Sequence, residues 1–173
     1  MAMTRLLVFL PLALAATPAH SQEVFTGLHA HAVNTPLSLS SGEERGVDLS
    51  LGYRFGGIGG TRVQPYVFGA LNSRGDTSYA AAGLGYRFGD RLYVRPGIGI
   101  AVHNGSARNF EVPRNGEIEF GSRVLFEPEL AVGYQVSSRL GVEASLVHLS
   151  QGQLFGKQNP GIDNLGVRLN WKL

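Results

Sequence analysis

The sequence predicts an all-β protein, an eight-stranded antiparallel transmembrane β-barrel of the bacterial outer membrane. Three observations indicate this fold. The 173 residues include 24 Gly and no Cys, and so much glycine disfavours helices because a helix-interior Gly costs about 1 kcal/mol relative to Ala. Polar and apolar residues alternate in short segments, which is the periodicity of strands. The connections between these segments alternate between short and long, as they do in outer-membrane barrels.

The first residues of the chain predict export. A basic start ends at Arg5, an apolar run of eleven residues extends from Leu6 to Ala16, and Ala19-His20-Ser21 has the small-x-small pattern of a cleavage site. We therefore expect residues 1–21 to be a signal peptide and residues 22–173 to form a single β-barrel domain. The alternative, an uncleaved anchor helix, needs a longer apolar stretch, because a helix that crosses a bilayer takes about 20 residues.

Eight strands are expected in the remaining chain. Their predicted ranges are Glu23–Val33, Gly46–Phe55, Thr61–Leu71, Thr77–Phe88, Arg91–Val102, Glu119–Val136, Arg139–Ser150 and Gly161–Lys172. The three short connections are residues 56–60, 89–90 and 137–138, and the four long ones are residues 34–45, 72–76, 103–118 and 151–160. Outer-membrane barrels have short turns at the periplasmic rim and long loops at the rim that faces outside the cell.

The second, sixth and eighth predicted strands each have one apolar and one polar face. In the second strand Leu49 and Leu51 alternate with Ser50 and Arg54. A soluble barrel would turn the apolar face inward, and alternation alone does not exclude that arrangement. The lipid-facing arrangement is favoured because a small barrel interior accommodates paired charges. The charges expected to pair there are Arg54, Arg87, Arg168, Glu127, Glu129 and Glu143.

Aromatic residues also favour a barrel in a membrane. The segment Leu-Gly-Tyr-Arg-Phe-Gly occurs twice, at residues 51–56 and 84–89, and each copy ends at a short connection. Tyr134 lies near the third short connection. Membrane proteins concentrate such side chains where the wall meets the headgroups, so we expect an aromatic girdle at the short-turn rim.

Composition excludes several chemistries. The absence of Cys removes thiol nucleophiles, disulfide frameworks and cysteine-based zinc clusters. A net charge of +2 without a basic run argues against a nucleic-acid partner. We expect no metal and no cofactor.

A candidate catalytic group lies at the end of the seventh strand. His148 and Ser150 are two residues apart and share the parity of the apolar residues that precede them, so both face outward. Asp163, at the start of the antiparallel eighth strand, has the same parity. A serine hydroxyl needs a base to accept its proton, and a histidine base needs a carboxylate that orients it. The alternative is that His148 and Ser150 are only polar side chains at the level where the strand meets the lipid headgroups, an arrangement that requires no catalytic function.

The segment His148-Leu-Ser-Gln-Gly152, with Asn159-Pro-Gly-Ile-Asp163 after it, resembles the outer-membrane lipid A 3-O-deacylases of the PagL type, also grouped as acyloxyacyl hydrolase-like. The resemblance implies an ester hydrolase that acts on lipid A of lipopolysaccharide in the outer leaflet. It implies Ser150 as the nucleophile, His148 as the general base and Asp163 as the acid that orients the base. It also implies that Asn159, Gln151 and Gly152 bind the oxyanion or the substrate.

The sequence departs from the family pattern at four points. Gln151 stands where an Asn follows the serine, and Asp163 stands where Glu is common. The interval from His148 to Asp163 is one residue longer, and the chain ends in Leu173 rather than in an aromatic assembly signal. The first three departures concern the acid and the oxyanion residues. The sequence therefore supports the assignment of His148 and Ser150 more strongly than the assignment of the acid and oxyanion residues.

Two other classes of protein remain open on sequence grounds. One is a non-catalytic small outer-membrane barrel with an adhesive or structural role, and the other is a soluble lipocalin-like carrier. Pairing of the barrel as a homodimer is also left open.

Fractionation of cells that express the full chain tests these expectations. The protein should be recovered with the outer membrane, and its intact mass should correspond to a chain that begins at Gln22. Recovery in the soluble fraction without detergent would instead favour the lipocalin-like alternative. Retention of residues 1–21 would favour the anchor helix.

Overall fold

The computed structural model describes residues 22–38, 43–109, 116–154 and 159–173. The expected signal peptide, residues 1–21, lies outside the described residues. The chain forms one closed antiparallel barrel in which each strand pairs with its sequence neighbours and β1 pairs with β8. This confirms the predicted fold. The strands are β1 Glu23–Ala30, β2 Val47–Arg54, β3 Val63–Asn72, β4 Tyr79–Tyr86, β5 Leu92–His103, β6 Val124–Gln135, β7 Leu140–Ser150 and β8 Gly161–Lys172.

Two strand bounds differ from the prediction by more than two residues, and all the other bounds differ by at most two. Strand β6 begins at Val124 instead of Glu119, because Gly121 has a φ of 72° that breaks the extended backbone. Phe120, just before that break, is buried at the mouth of the barrel. Strand β1 ends at Ala30 instead of Val33, because Ala32 has a φ of 50° and turns the chain out of the ladder.

The two rims differ as predicted. The β2–β3, β4–β5 and β6–β7 connections and both ends of the barrel sequence lie at one end, which we call the turn rim. The β1–β2, β3–β4, β5–β6 and β7–β8 connections lie at the other end, the loop rim. Within the described residues, no helix has the length and apolar character needed to cross a membrane.

The outer face of the barrel wall is apolar, and the inner face carries polar side chains together with a buried apolar cluster that includes Phe25, Phe68 and Leu149. In β2, Leu49 and Leu51 are 55% and 64% exposed, whereas Ser50 and Arg54 are 0% and 1% exposed. The same alternation runs through the other strands. A wall of this kind matches a hydrocarbon surrounding and not water, so the structure decides against the soluble arrangement that sequence parity left open.

A network of ion pairs fills the part of the lumen toward the turn rim. Arg168 Nη1 lies 2.6 Å from Glu129 Oε2. Arg95 Nη1 lies 3.1 Å from Glu143 Oε1, and Arg54 Nη2 lies 3.4 Å from Glu143 Oε2. All five side chains are at most 5% exposed. Four of the predicted charges pair with one another, Arg54, Arg168, Glu129 and Glu143, and Arg87 pairs with Glu23, which joins the network together with Arg95. Glu127 was also expected to pair, and among the described residues it forms no ion pair. Glu127 accepts a hydrogen bond of 2.5 Å from the Tyr66 hydroxyl.

Aromatic pairs lie at the turn rim where the repeated segment ends. The rings of Tyr53 and Phe55 are 4.8 Å apart, and those of Tyr86 and Phe88 are 4.4 Å apart. Both pairs come from the two copies of Leu-Gly-Tyr-Arg-Phe-Gly. The expected girdle is therefore present at this rim.

Truncation of a network carboxylate should destabilise the barrel strongly. Glu143→Ala removes one of the two buried carboxylates that Arg54 and Arg95 share and leaves them only Glu23 in common, which should lower the free energy of unfolding by about 3–5 kcal/mol. Urea unfolding in lipid vesicles, followed by the fluorescence of the single Trp171, measures this. Asp90→Ala is the control, because its ion pair with Arg62 is exposed and contributes little. Equal midpoints for both variants would contradict the structural role of the network.

Candidate active site

The pairing of β7 with β8 brings the three predicted catalytic side chains together. The register sets His148 opposite Asp163 and Ser150 opposite Gly161, at the loop-rim end of both strands. Because side chains alternate between the two faces of a strand, His148, Ser150 and Asp163 all project from the outer side of the wall. The next outward pair toward the turn rim is Leu146 and Leu165, so the group borders the apolar belt.

The distances form a relay from hydroxyl to carboxylate. Ser150 Oγ lies 2.9 Å from His148 Nε2, and His148 Nδ1 lies 2.6 Å from Asp163 Oδ1. An ionised carboxylate only accepts hydrogen bonds, so Nδ1–H donates to Asp163 and Nε2 accepts from the Ser150 hydroxyl. This is the tautomer that a histidine needs to act as a base toward serine.

The three side chains differ in burial, which increases from His148 through Ser150 to Asp163. The His148 side chain is 14% exposed, Ser150 is 7% exposed and Asp163 is fully buried. Behind them, Val147, Leu149 and Ile162 face inward with no exposure. The three candidate side chains therefore stand on two paired strands whose inward side chains pack in the interior of the barrel.

The predicted oxyanion and substrate residues lie in the β7–β8 connection. Gln151 is 2% exposed, and its side chain lies beside Gly121 of the β5–β6 connection. Gly152 has a φ of 62°, in the left-handed region that favours glycine, and it begins a turn. The Asn159 side-chain oxygen is buried and has no hydrogen-bond partner among the described residues. The structure thus brings the His-Ser-Asp group together at the two strand ends that this connection joins.

The β1–β2 connection contacts the acid, which the sequence reasoning missed. The Val33 N–H donates to the Asp163 carbonyl over 2.8 Å, and the Thr35 hydroxyl donates to Asp163 Oδ2. The Ser38 hydroxyl donates to the Gly161 carbonyl. Thr35 and Asp163 are 128 residues apart, so no local pattern connects them. The only available signal was the expected closure of β1 on β8, which places these segments side by side.

A second buried polar cluster lies at the loop rim. His31 donates from both ring nitrogens, from Nδ1 to Asp48 over 2.9 Å and from Nε2 to Glu44 over 3.0 Å. Glu44 also accepts from the backbone N–H groups of Thr77 and Ile118. One carboxylate therefore joins three of the loop-rim connections.

The charges of this cluster shift the pKa values of its members. Burial alone would lower the pKa of His31, but the hydrogen bonds and negative charges of Asp48 and Glu44 outweigh it and raise the pKa to about 9. Burial would raise the pKa of Glu44, but hydrogen bonds from His31, Thr77 and Ile118 outweigh it and lower the pKa. Both groups are thus charged at neutral pH.

Across residues 22–38, 43–109, 116–154 and 159–173, no group of three or more His, Asp or Glu side chains is arranged to hold a metal ion.

Comparisons with known proteins found a family match and similar solved structures. A family model described as "Lipid A 3-O-deacylase (PagL)" matches residues 49–172. The crystal structure of the outer-membrane enzyme PagL is 17% identical, with a TM-score of 0.60 over 87% of this chain and 99% of that chain. Two other outer-membrane proteins are similar at 10% identity. Neisserial surface protein A has a TM-score of 0.56 over 88% of this chain and 97% of its own. The Yersinia pestis protein Ail has a TM-score of 0.52 over 90% of this chain and 100% of its own.

At these identities the solved structures establish the likeness of the fold, whereas the family match covers most of the chain. No curated protein sequence matches the chain significantly.

The raised pKa of His31 predicts a pH-dependent stability. Between pH 6.5 and about 9 the folded protein keeps a proton on His31 that the unfolded chain has lost. The free energy of unfolding should therefore fall as the pH rises through this window, by at most about 3 kcal/mol. Urea midpoints at several pH values measure the slope, which should be smaller in His31→Gln. Identical slopes in both proteins would contradict the prediction.

Proposed function

The chain belongs to the lipid A 3-O-deacylase (PagL) family, and from that membership we propose that it removes the 3-O-linked acyl chain from lipid A of lipopolysaccharide in the outer membrane. The observation that carries the proposal is the Ser150–His148–Asp163 relay on the outer wall. An enzyme that hydrolyses soluble esters would carry its catalytic group in a cleft that opens to water. Here the group borders the lipid-facing belt, which suits an ester that is itself part of a membrane lipid.

In the proposed mechanism Ser150 attacks the acyl carbonyl while His148 Nε2 accepts the hydroxyl proton. Asp163 stabilises the imidazolium that forms. When the tetrahedral intermediate collapses, the bond between the acyl carbon and the sugar oxygen breaks. His148 returns its proton to that oxygen, which leaves as the free sugar hydroxyl and leaves the fatty acyl group on Ser150.

A water molecule then completes the reaction. His148 takes a proton from the water, whose oxygen attacks the acyl-serine carbonyl. The bond from the acyl carbon to Ser150 Oγ breaks, Ser150 recovers its proton from His148, and the fatty acid is released. Both tetrahedral intermediates carry a negative oxygen that needs preorganised donors. We assign this role to Gln151, Gly152 and Asn159 of the β7–β8 connection. Gln151 and Gly152 directly follow Ser150 in the sequence.

The position of the site on the wall supports a lipid substrate. Leu146 and Leu165 form the outward row directly below His148 and Asp163, and Leu165 is 52% exposed. An acyl chain held along this row would keep its contact with hydrocarbon while its ester reaches Ser150. Polar side chains on the lipid face cost little near the interface and more toward the midplane. A site at the loop rim is therefore compatible with a stable barrel.

Ser150→Ala should abolish deacylation, with a loss of at least about a thousandfold in rate. Mass spectrometry of lipid A from cells that express the variant should show retention of the 3-linked acyl chain that the native protein removes. The matched control is Ser145→Ala on the same strand. Ser145 faces the lumen and bonds His29 at 2.8 Å, so this variant should still deacylate lipid A. Continued loss of the 3-linked chain in Ser150→Ala would rule out Ser150 as the nucleophile.

A further inference from the structure

We propose that Thr35 is a positioning residue of this site, because its hydroxyl holds the Asp163 carboxylate in the orientation that His148 requires. The inference rests on the proposed function and adds to it a residue from the opposite end of the chain. Among the described residues Thr35 makes no hydrogen bond to Ser150 or His148, so its effect would pass through Asp163 alone.

The two oxygens of Asp163 have different partners. Oδ1 accepts from His148, and Oδ2 accepts from the Thr35 hydroxyl. The side chain is fully buried, so water cannot replace a lost partner at Oδ2 without a change in packing. The terminal torsion of an Asp side chain is broad, and a single hydrogen bond would leave the carboxylate plane free to turn. The second bond removes this freedom.

The direction of the Thr35 proton is set by its own neighbours. The Leu37 N–H donates to Thr35 Oγ1 over 3.0 Å. Since this oxygen already accepts a hydrogen bond from the chain, its proton is directed to Asp163. Pro36 follows Thr35 and restricts its backbone to extended conformations. The hydroxyl is therefore presented by a constrained segment.

The same segment is docked on β8 at two further points. The Val33 N–H donates to the Asp163 carbonyl, and the Ser38 hydroxyl donates to the Gly161 carbonyl. These contacts hold the backbone of the segment on the strand without touching the carboxylate. Ser38 thus offers a matched control, because its removal perturbs docking and leaves both oxygens of Asp163 bonded.

The experiment measures kcat and KM on lipid A in detergent micelles for the full chain and its variants. Thr35→Val should lower kcat by about 10- to 100-fold, the cost of a misplaced catalytic group, and should leave KM unchanged. Thr35→Ser, which keeps the hydroxyl, should restore most of kcat. Ser38→Ala should retain kcat. Thr35→Ala serves as a second variant should the valine methyl disturb packing, and a heat-shift gel verifies that each barrel is folded.

A double-variant comparison separates positioning from a general structural role. In an Asp163→Ala background, Thr35→Val should cause no further loss of kcat, because the group it orients is gone. Additive losses would overturn the proposal. So would a loss in Ser38→Ala equal to that in Thr35→Val, or native kcat in both Thr35→Val and Thr35→Ala. If Ser150→Ala is inactive while the Thr35 variants are fully active, this inference fails and the proposed function stands. If Ser150→Ala remains active, the proposed function itself fails.

Discussion

The closure of the barrel between β1 and β8 is the constraint on which the other features depend. Backbone groups that face hydrocarbon cannot bond water, so every strand edge in such a wall has to be paired. The ladder from Glu23–Lys172 to Ala30–Leu165 satisfies this condition for the first and last strands. It also sets the β1–β2 connection beside the start of β8. The contact of Thr35 with Asp163 is thus a consequence of closing the wall.

The ion network and the site use opposite faces of the same strands. Glu143 and Arg168 face the lumen on β7 and β8, and His148 and Asp163 face outward on the same two strands. Buried charge pairs tolerate little movement because a broken pair is costly. A lumen filled in this way gives β7 and β8 a stiff support. A relay with a 2.6 Å contact between His148 and Asp163 can therefore be carried by strands rather than by mobile loops.

The β1–β2 connection links two regions of the loop rim. Its first part contacts β8 through Thr35 and Ser38, and its last part carries Glu44, which bonds the β3–β4 and β5–β6 connections through Thr77 and Ile118. The pH dependence that follows from His31 therefore concerns the segment that also contacts the acid of the site. The β1–β2 connection thus contributes both to the stability of the loop rim, through Glu44, and to the geometry of the site, through Thr35.

The sequence by itself determined what depends on short-range periodicity. A side-chain period of two and the adjacency of consecutive strands were enough to predict eight strands, the two kinds of rim, and one outward face shared by His148, Ser150 and Asp163. The tertiary structure decided what depends on long-range packing. It determined which face of the wall is inside, the end of the ladder at Ala30, and the partners of Asp163 beyond His148. The physical reason is that alternation specifies two faces without assigning either to lipid, and a contact across 128 residues exists only once the barrel is closed.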